Sequence, residues 1–168
     1  MRVYYMPVFE HKIRLQAKDK DGKSTLLPPS KGIQFLGPVL NVLVSPTRQH
    51  LESLERRGLT APQPISGLAL IDTGASSTAV DENVCRTLGL LPTGRISTAH
   101  AGGPEVRMCY PIQISFPRDP LPSLINPRAM SVNLQYGKTP YILLFGRDLL
   151  SKMKFVYHGL AGRFEIAF

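Results

Sequence analysis

A mainly β, turn-rich fold is predicted for this chain of 168 residues by three observations. Runs of strand length recur along it, either apolar throughout or alternating, with Ile112–Phe116 and Phe164–Phe168 the clearest. Fifteen prolines and 14 glycines suit many turns between short strands better than a bundle of long helices. No fixed-period internal repeat is present, and the length is most simply that of one domain, able to bury about 70% of its unfolded surface.

In chain order, Lys12–Lys18 alternates polar and apolar residues, and Asp21-Gly22 separates it from Lys23–Leu27, which predicts a hairpin. Pro28–Gly32 reads as a linker or sharp turn. These segments form an N-terminal arm, residues 1–36, suited to be a propeptide, a dimer contact or a covering strand. The main domain is expected over 37–168, beginning with the apolar strand Val39–Val44.

Within Pro46–Pro64 a short surface helix is predicted over Arg48–Arg57, with Thr47 as N-cap, Gly58 as stop, and Pro62 and Pro64 preventing continuation. The run Gly67–Ile71 is a buried strand that leads into Asp72. A second helix is predicted over Asp81–Leu88, where Val84, Cys85 and Leu88 share a face, Asp81 caps and Gly89 terminates.

Ile96–Ala99 and Val106–Tyr110 flank His100-Ala101-Gly102-Gly103-Pro104, a hairpin with a small-residue tip and a candidate lid. Ile112–Phe116 follows as a strand, and Pro117–Pro127 as an exposed loop. Met130–Leu134 and Tyr141–Phe145 are further strands, and Leu149, Leu150 and Met153 suit a short amphipathic helix. Lys154–Tyr157, a turn through Gly159 and Gly162, and Arg163–Phe168 close the chain. The last is expected as a terminal strand with one buried face and an edge open to a partner.

The formal charge of +8 and pI near 9.8 raise the question of a nucleic-acid partner. The basic residues are dispersed from Arg2 to Arg163 without aromatic interleaving, so a solvated basic surface is expected and no nucleic-acid partner. No run approaches the roughly 18 apolar residues of a membrane span, and Met1–Phe9 lacks a signal core, which points to a cytoplasmic protein without a membrane partner. Two cysteines, Cys85 and Cys109, are too few for a disulfide framework. His11, His50 and His158 show no ligand spacing and Asp19–Gly22 lacks the intervals of a calcium loop, so neither metal nor cofactor is expected.

The chemistry-bearing motif is Asp72-Thr73-Gly74-Ala75, a carboxylate delivered by an apolar strand to a turn. With Ala69-Leu70-Ile71 before it, Ser76 after it, and a late Leu144-Phe145-Gly146-Arg147-Asp148-Leu149-Leu150, the chain resembles a retropepsin-like aspartic protease from about Gly37 to Phe168. The resemblance implies a closed acid-protease β-barrel with one or two short helices and a flap hairpin. It also implies an aspartic endopeptidase acting on a polypeptide substrate. Asp19, Asp21, Asp81, Asp119 and Asp148 are not followed by Thr-Gly or Ser-Gly, so the second carboxylate must come from another copy, in a C2 homodimer pairing Asp72 with its twin.

By the same resemblance, Asp72 is catalytic, and Thr73, Gly74 and Ala75 form the active-site turn. Thr73 locks the two turns across the dimer axis, and Ala75 stands where pepsin-like relatives carry a hydroxyl that supports the ionised carboxylate. Ser76 and Ser77, with flap residues Ala99, His100, Ala101, Gly102 and Gly103, are candidate substrate contacts. The chain departs from the family at Ser76-Ser77, where acidic residues are usual, and at the bulky Phe145. A non-catalytic peptide-binding or dimerisation module of the same fold is the alternative. A basic nucleic-acid-binding β domain is a second one.

Overall fold

The computed structural model describes residues 8–18, 20–100, 103–117, 121–134 and 140–168, without the side chains of residues 99 and 100. Its strands run β1 (Val8–Lys12), β2 (Gln16–Lys18), β3 (Ser24–Leu26), β4 (Val39–Pro46), β5 (Ile65–Ile71), β6 (Ala79–Asp81), β7 (Gly94–His100), β8 (Gly103–Ser115), β9 (Leu124–Val132), β10 (Tyr141–Phe145), β11 (Lys154–His158) and β12 (Arg163–Ala167). Among the described residues four short helices interrupt them, α1 (Pro29–Leu36), α2 (Arg48–Arg56), α3 (Glu82–Thr87) and α4 (Arg147–Leu150). The architecture is mainly β. No helix of the described residues is long and apolar enough to cross a membrane.

The large sheet runs β4-β5-β10-β6-β9-β8-β7, and pairing of β4 with β8 closes it into a barrel from which β7 projects. Alternation builds the interior. In β4, Leu40, Val42 and Val44 are fully buried while the residues between them are only half-buried. β10 lies parallel to β5 and antiparallel to β6, with Leu143 and Phe145 fully buried. Their large side chains fill the barrel beneath the end of β5, so the strand that carries Asp72 rests on a packed floor.

Four expectations are corrected. Pro28–Gly32 is no linker: Pro29 sits in the first turn of α1, where its missing N–H costs nothing, and Gly37 ends the helix at φ +68°. Ile33 of α1 is buried in the core. The expected loop Pro117–Pro127 is strand in its second half, because β9 begins at Leu124. Between the pairs Tyr110–Ala129 and Ile112–Asn126, β9 advances one residue more than β8. This bulge takes in Pro111 and Pro127, which have no N–H to give a ladder.

The third correction concerns β12, which has no open edge. It is the central strand of a small sheet ordered β1-β12-β11, with Val8 opposite Ala167 and Lys154 on its other side. Phe164 and Ile166 are fully buried there. The arm thus covers the edge. Ile13 follows β1 into the core, its N–H donating to the Gly162 carbonyl at 2.9 Å. The expected hairpin is shorter than Lys12–Leu27, with β2 on β3 and Gly22 at φ +79° in the turn.

The helix over Arg48–Arg56 lies on the surface with no buried residue, and an exposed Arg48–Glu52 pair one turn apart supports it. Thr47 occupies its N-cap position without a side-chain cap bond. Asp81 does cap α3, accepting from Asn83 N–H at 2.9 Å, and its other oxygen accepts from Leu134 N–H at 2.9 Å.

Candidate active site

Asp72 emerges where β5 leaves the barrel. Its N–H still belongs to the sheet, donating to the Phe145 carbonyl at 3.1 Å. Its carboxylate turns back on the chain: Oδ1 accepts from Gly74 N–H at 2.9 Å and from Ala75 N–H at 3.1 Å. Among the described residues Oδ2 accepts no hydrogen bond. Two backbone donors on one oxygen fix the orientation of the group and leave the other oxygen to water or a ligand.

Thr73, Gly74 and Ser76 are exposed, and Asp72, Ala75 and Ser77 half-buried. Gly74 has no room for a side chain at ordinary separation, since a Cβ there would lie 3.1 Å from Asp72 Oδ1. The turn is held from below by the segment after β10. Arg147 N–H donates to the Ala75 carbonyl at 2.9 Å, and its guanidinium donates to the carbonyls of Thr73 and Gly74 at 2.9 and 3.1 Å. Arg147 therefore finds its partners in the backbone carbonyls of the turn.

Next to it, Asp148 joins three elements. Its Oδ1 accepts the Thr78 N–H and hydroxyl and its own neighbour Leu149 N–H, and Oδ2 accepts from Asn126 Nδ2 at 2.8 Å. Thr78 is fully buried, and its oxygen also accepts from Gly146 N–H at 3.2 Å. Gly146 is required by close approach: a Cβ would lie 2.4 Å from the Ser77 carbonyl carbon. Sequence reading did not nominate Thr78, Asn126 or Asp148. Only Asp148 carried a signal, its place directly after Gly146-Arg147.

The candidate lid is the β7–β8 hairpin, whose backbone pairs Ala99 with Pro104 and His100 with Gly103. Ala101 and Gly102 lie outside the described residues. Gly103 has φ +105°, a conformation suited to glycine at the start of the returning strand. A cleft of about 360 Å³ is lined by Ala75 and Ser76 of the turn, Thr98, Glu105 and Arg107 of the hairpin strands, and Val132 of β9. The structure brings Gly74–Ser76 and the hairpin to one cleft, while Ser77 backs onto Gly146.

Cys85 lies outside the cleft, on the buried face of α3 and only 4% exposed. Burial first, and the carboxylates of Asp81 and Glu82 behind it, push its thiol up to about 12, against a smaller opposing backbone hydrogen bond. It is a neutral packing group at any physiological pH, not a nucleophile.

No family model matches the chain, and no curated protein matches it. Among solved structures it is similar to the crystal structure of a retropepsin-like aspartic protease from Rickettsia conorii. The identity is 15%, the match covers 100% of this chain and 98% of that one, and the TM-score is 0.48.

Proposed function

We propose that the chain is one subunit of a homodimeric aspartic endopeptidase that cleaves a polypeptide substrate. The observation that carries this reading is the state of Asp72, whose Oδ1 is pinned by two backbone N–H groups while Oδ2 takes no hydrogen bond among the described residues. Two such groups facing each other across a twofold axis cannot both ionise. They share a proton, and the pair titrates as a unit. The ionised member draws a proton from a bound water, and the protonated member donates to the carbonyl oxygen of the scissile bond.

In this reading exposed Thr73 meets its twin at the axis, and Arg147 keeps the Thr73 and Gly74 carbonyls in place. Ser76, with the lid from Ala99 to Gly103, holds the extended substrate over the carboxylates and excludes water. Two free, buried cysteines suit the reducing cytoplasm.

The test is cleavage of a diverse peptide pool across pH, with wild type, Asp72→Asn, and wild type plus pepstatin. Cleavage confined to the uninhibited wild type is expected, as is loss of activity when Asp72→Asn subunits are mixed in. Hydrolysis by Asp72→Asn alone would overturn the assignment, and peptide binding without hydrolysis by wild type would favour the non-catalytic module.

A further inference from the structure

Three consecutive carbonyls of the Asp72 turn accept from one residue. Arg147 N–H donates to Ala75 at 2.9 Å, and Nη1 of its guanidinium donates to Thr73 at 2.9 Å and to Gly74 at 3.1 Å, one hydrogen for each. The two N–H groups that pin Asp72 Oδ1 belong to Gly74 and Ala75. Each of these donors is the far end of a peptide group whose carbonyl the guanidinium holds, Thr73 C=O with Gly74 N–H and Gly74 C=O with Ala75 N–H. A trans peptide group is planar and its C=O and N–H point opposite ways, so fixing one end aims the other.

We propose that Arg147 is a positioning residue for the Asp72 carboxylate, its positive charge relayed to Oδ1 through these two peptide groups. The inference rests on the endopeptidase reading for the part that Asp72 plays in catalysis. A cation on a carbonyl draws electron density along the peptide group and makes its N–H a stronger donor. Both donors then favour the ionised carboxylate and hold its negative charge on Oδ1. The proton shared with the twin Asp72 is thereby directed to Oδ2, which accepts no hydrogen bond among the described residues.

Arg147 makes no ion pair with Asp72 among the described residues, so the connection runs through the backbone. The other charged groups around the turn are engaged elsewhere. Asp148 is turned to Thr78 and Asn126. Glu105 and Arg107, which line the cleft from β8, pair with each other, and Arg107 also pairs with Glu82. Arg147 is itself exposed, so solvent screens part of its charge and the effect on the carboxylate is modest.

The experiment follows the full chain by NMR, reading the Asp72 carboxyl carbon across pH and the amide protons of Gly74 and Ala75, with kcat/KM measured on the same samples. Subunit concentrations are those at which sedimentation shows the wild-type assembly. Arg147→Met removes both guanidinium bonds but keeps the backbone bond to Ala75. Both amide protons should move upfield, and the Asp72 midpoint and the acid limb of kcat/KM should rise together by about half a unit. Arg147→Lys keeps a cation without the planar fork and should give smaller shifts in the same direction. If Arg147→Met does not fold, the direction of the Arg147→Lys shifts decides. Lys152→Gln removes an exposed charge just beyond α4 and should leave all the readings in place.

Unmoved amide protons in the Arg147 variants would overturn the proposal, as would a midpoint that moves equally in Lys152→Gln, since charge would then act through space. A role confined to holding the fold would lower kcat at every pH without displacing the acid limb, and that result also overturns it. Shifted amides and midpoint without cleavage by wild type support the relay and sink the endopeptidase reading. Cleavage by wild type with amides and midpoint unmoved in the variants sinks the relay alone.

Discussion

Asp148 Oδ1 accepts two hydrogen bonds from Thr78, at 2.9 Å from its N–H and 2.7 Å from its hydroxyl, across 70 positions of sequence. This contact ties the segment after β10 to the one after the Asp72 turn. Thr78→Val removes the hydroxyl and leaves Gly146 N–H without its acceptor in the interior. A loss of about 1–3 kcal/mol is expected in urea unfolding. A double-mutant cycle with Asp148→Asn should give a coupling of about 1 kcal/mol, and strict additivity would show the two residues to be energetically independent.

Gly146→Ala should be among the most damaging substitutions in the chain. Its Cβ would meet backbone atoms of Ser77 and Thr78 at 2.4 to 2.6 Å, where no flexible side chain can move aside. A cost of about 3 kcal/mol or more is expected, and in the endopeptidase reading loss of peptide cleavage with it. Gly89→Ala is the comparison: φ is +59° but nothing lies within 4 Å, so only about 1–2 kcal/mol is expected. Equal midpoints for the two variants in urea would contradict this.

Ala75 places an N–H, but no hydroxyl, beside the Asp72 carboxylate. In the endopeptidase reading Ala75→Ser adds a donor that favours the ionised form, so the acid limb of the rate profile should move to lower pH. The expected shift is about half a unit to one unit, read from kcat/KM against pH. An unmoved acid limb would show that the added hydroxyl does not reach the reacting pair.

Deletion of residues 1–12 removes β1 and exposes the ladder groups of β12 that now pair with it. The shortened chain should melt at lower temperature and associate with rising concentration, as unpaired edges do, which size-exclusion chromatography will read. A monodisperse truncated chain with unchanged Tm would show that β1 is dispensable cover. Deletion of 1–36 should be worse, because it also takes Ile13 and Ile33 out of the core.

The raised thiol of Cys85 predicts alkaline sensitivity. In the unfolded chain the thiol loses its proton near 9.0, but in the folded chain it holds it to about 12. Above pH 9 the folded state therefore binds more protons than the unfolded one, and stability falls as pH rises. The slope from this group is about 1.4 kcal/mol per pH unit between the two values. Tyr110 and Tyr141, whose pKa values burial also raises, add to the loss. Cys85→Ala should flatten the profile of urea midpoint against pH above 9 without abolishing it, and an unchanged slope would remove Cys85 as a cause.

Elements whose signals are local were legible in the sequence. The apolar runs over Val39–Val44 and before Asp72 correspond to β4 and β5, and the Asp81 cap and Gly89 stop bracket α3. Where local signals competed, the reading failed. Pro28-Pro29 and Gly32 look like a broken chain, yet burial of Ile33 against the core outweighs the propensity cost and makes α1. The same holds at Pro127, which a bulge accommodates within β9.

By itself the sequence determined a mainly β chain and a single Asp-Thr-Gly turn at the end of a buried strand, because periodicity and turn chemistry act over a few neighbours. Only the tertiary structure decided what surrounds that turn. It set Asp148 against Thr78 and Asn126, Arg147 under the Thr73 and Gly74 carbonyls, Arg107 between two glutamates, and β1 on β12. Those partners lie from 2 to about 160 positions apart, and no spacing in a linear chain encodes which distant groups a closed barrel brings within hydrogen-bond reach.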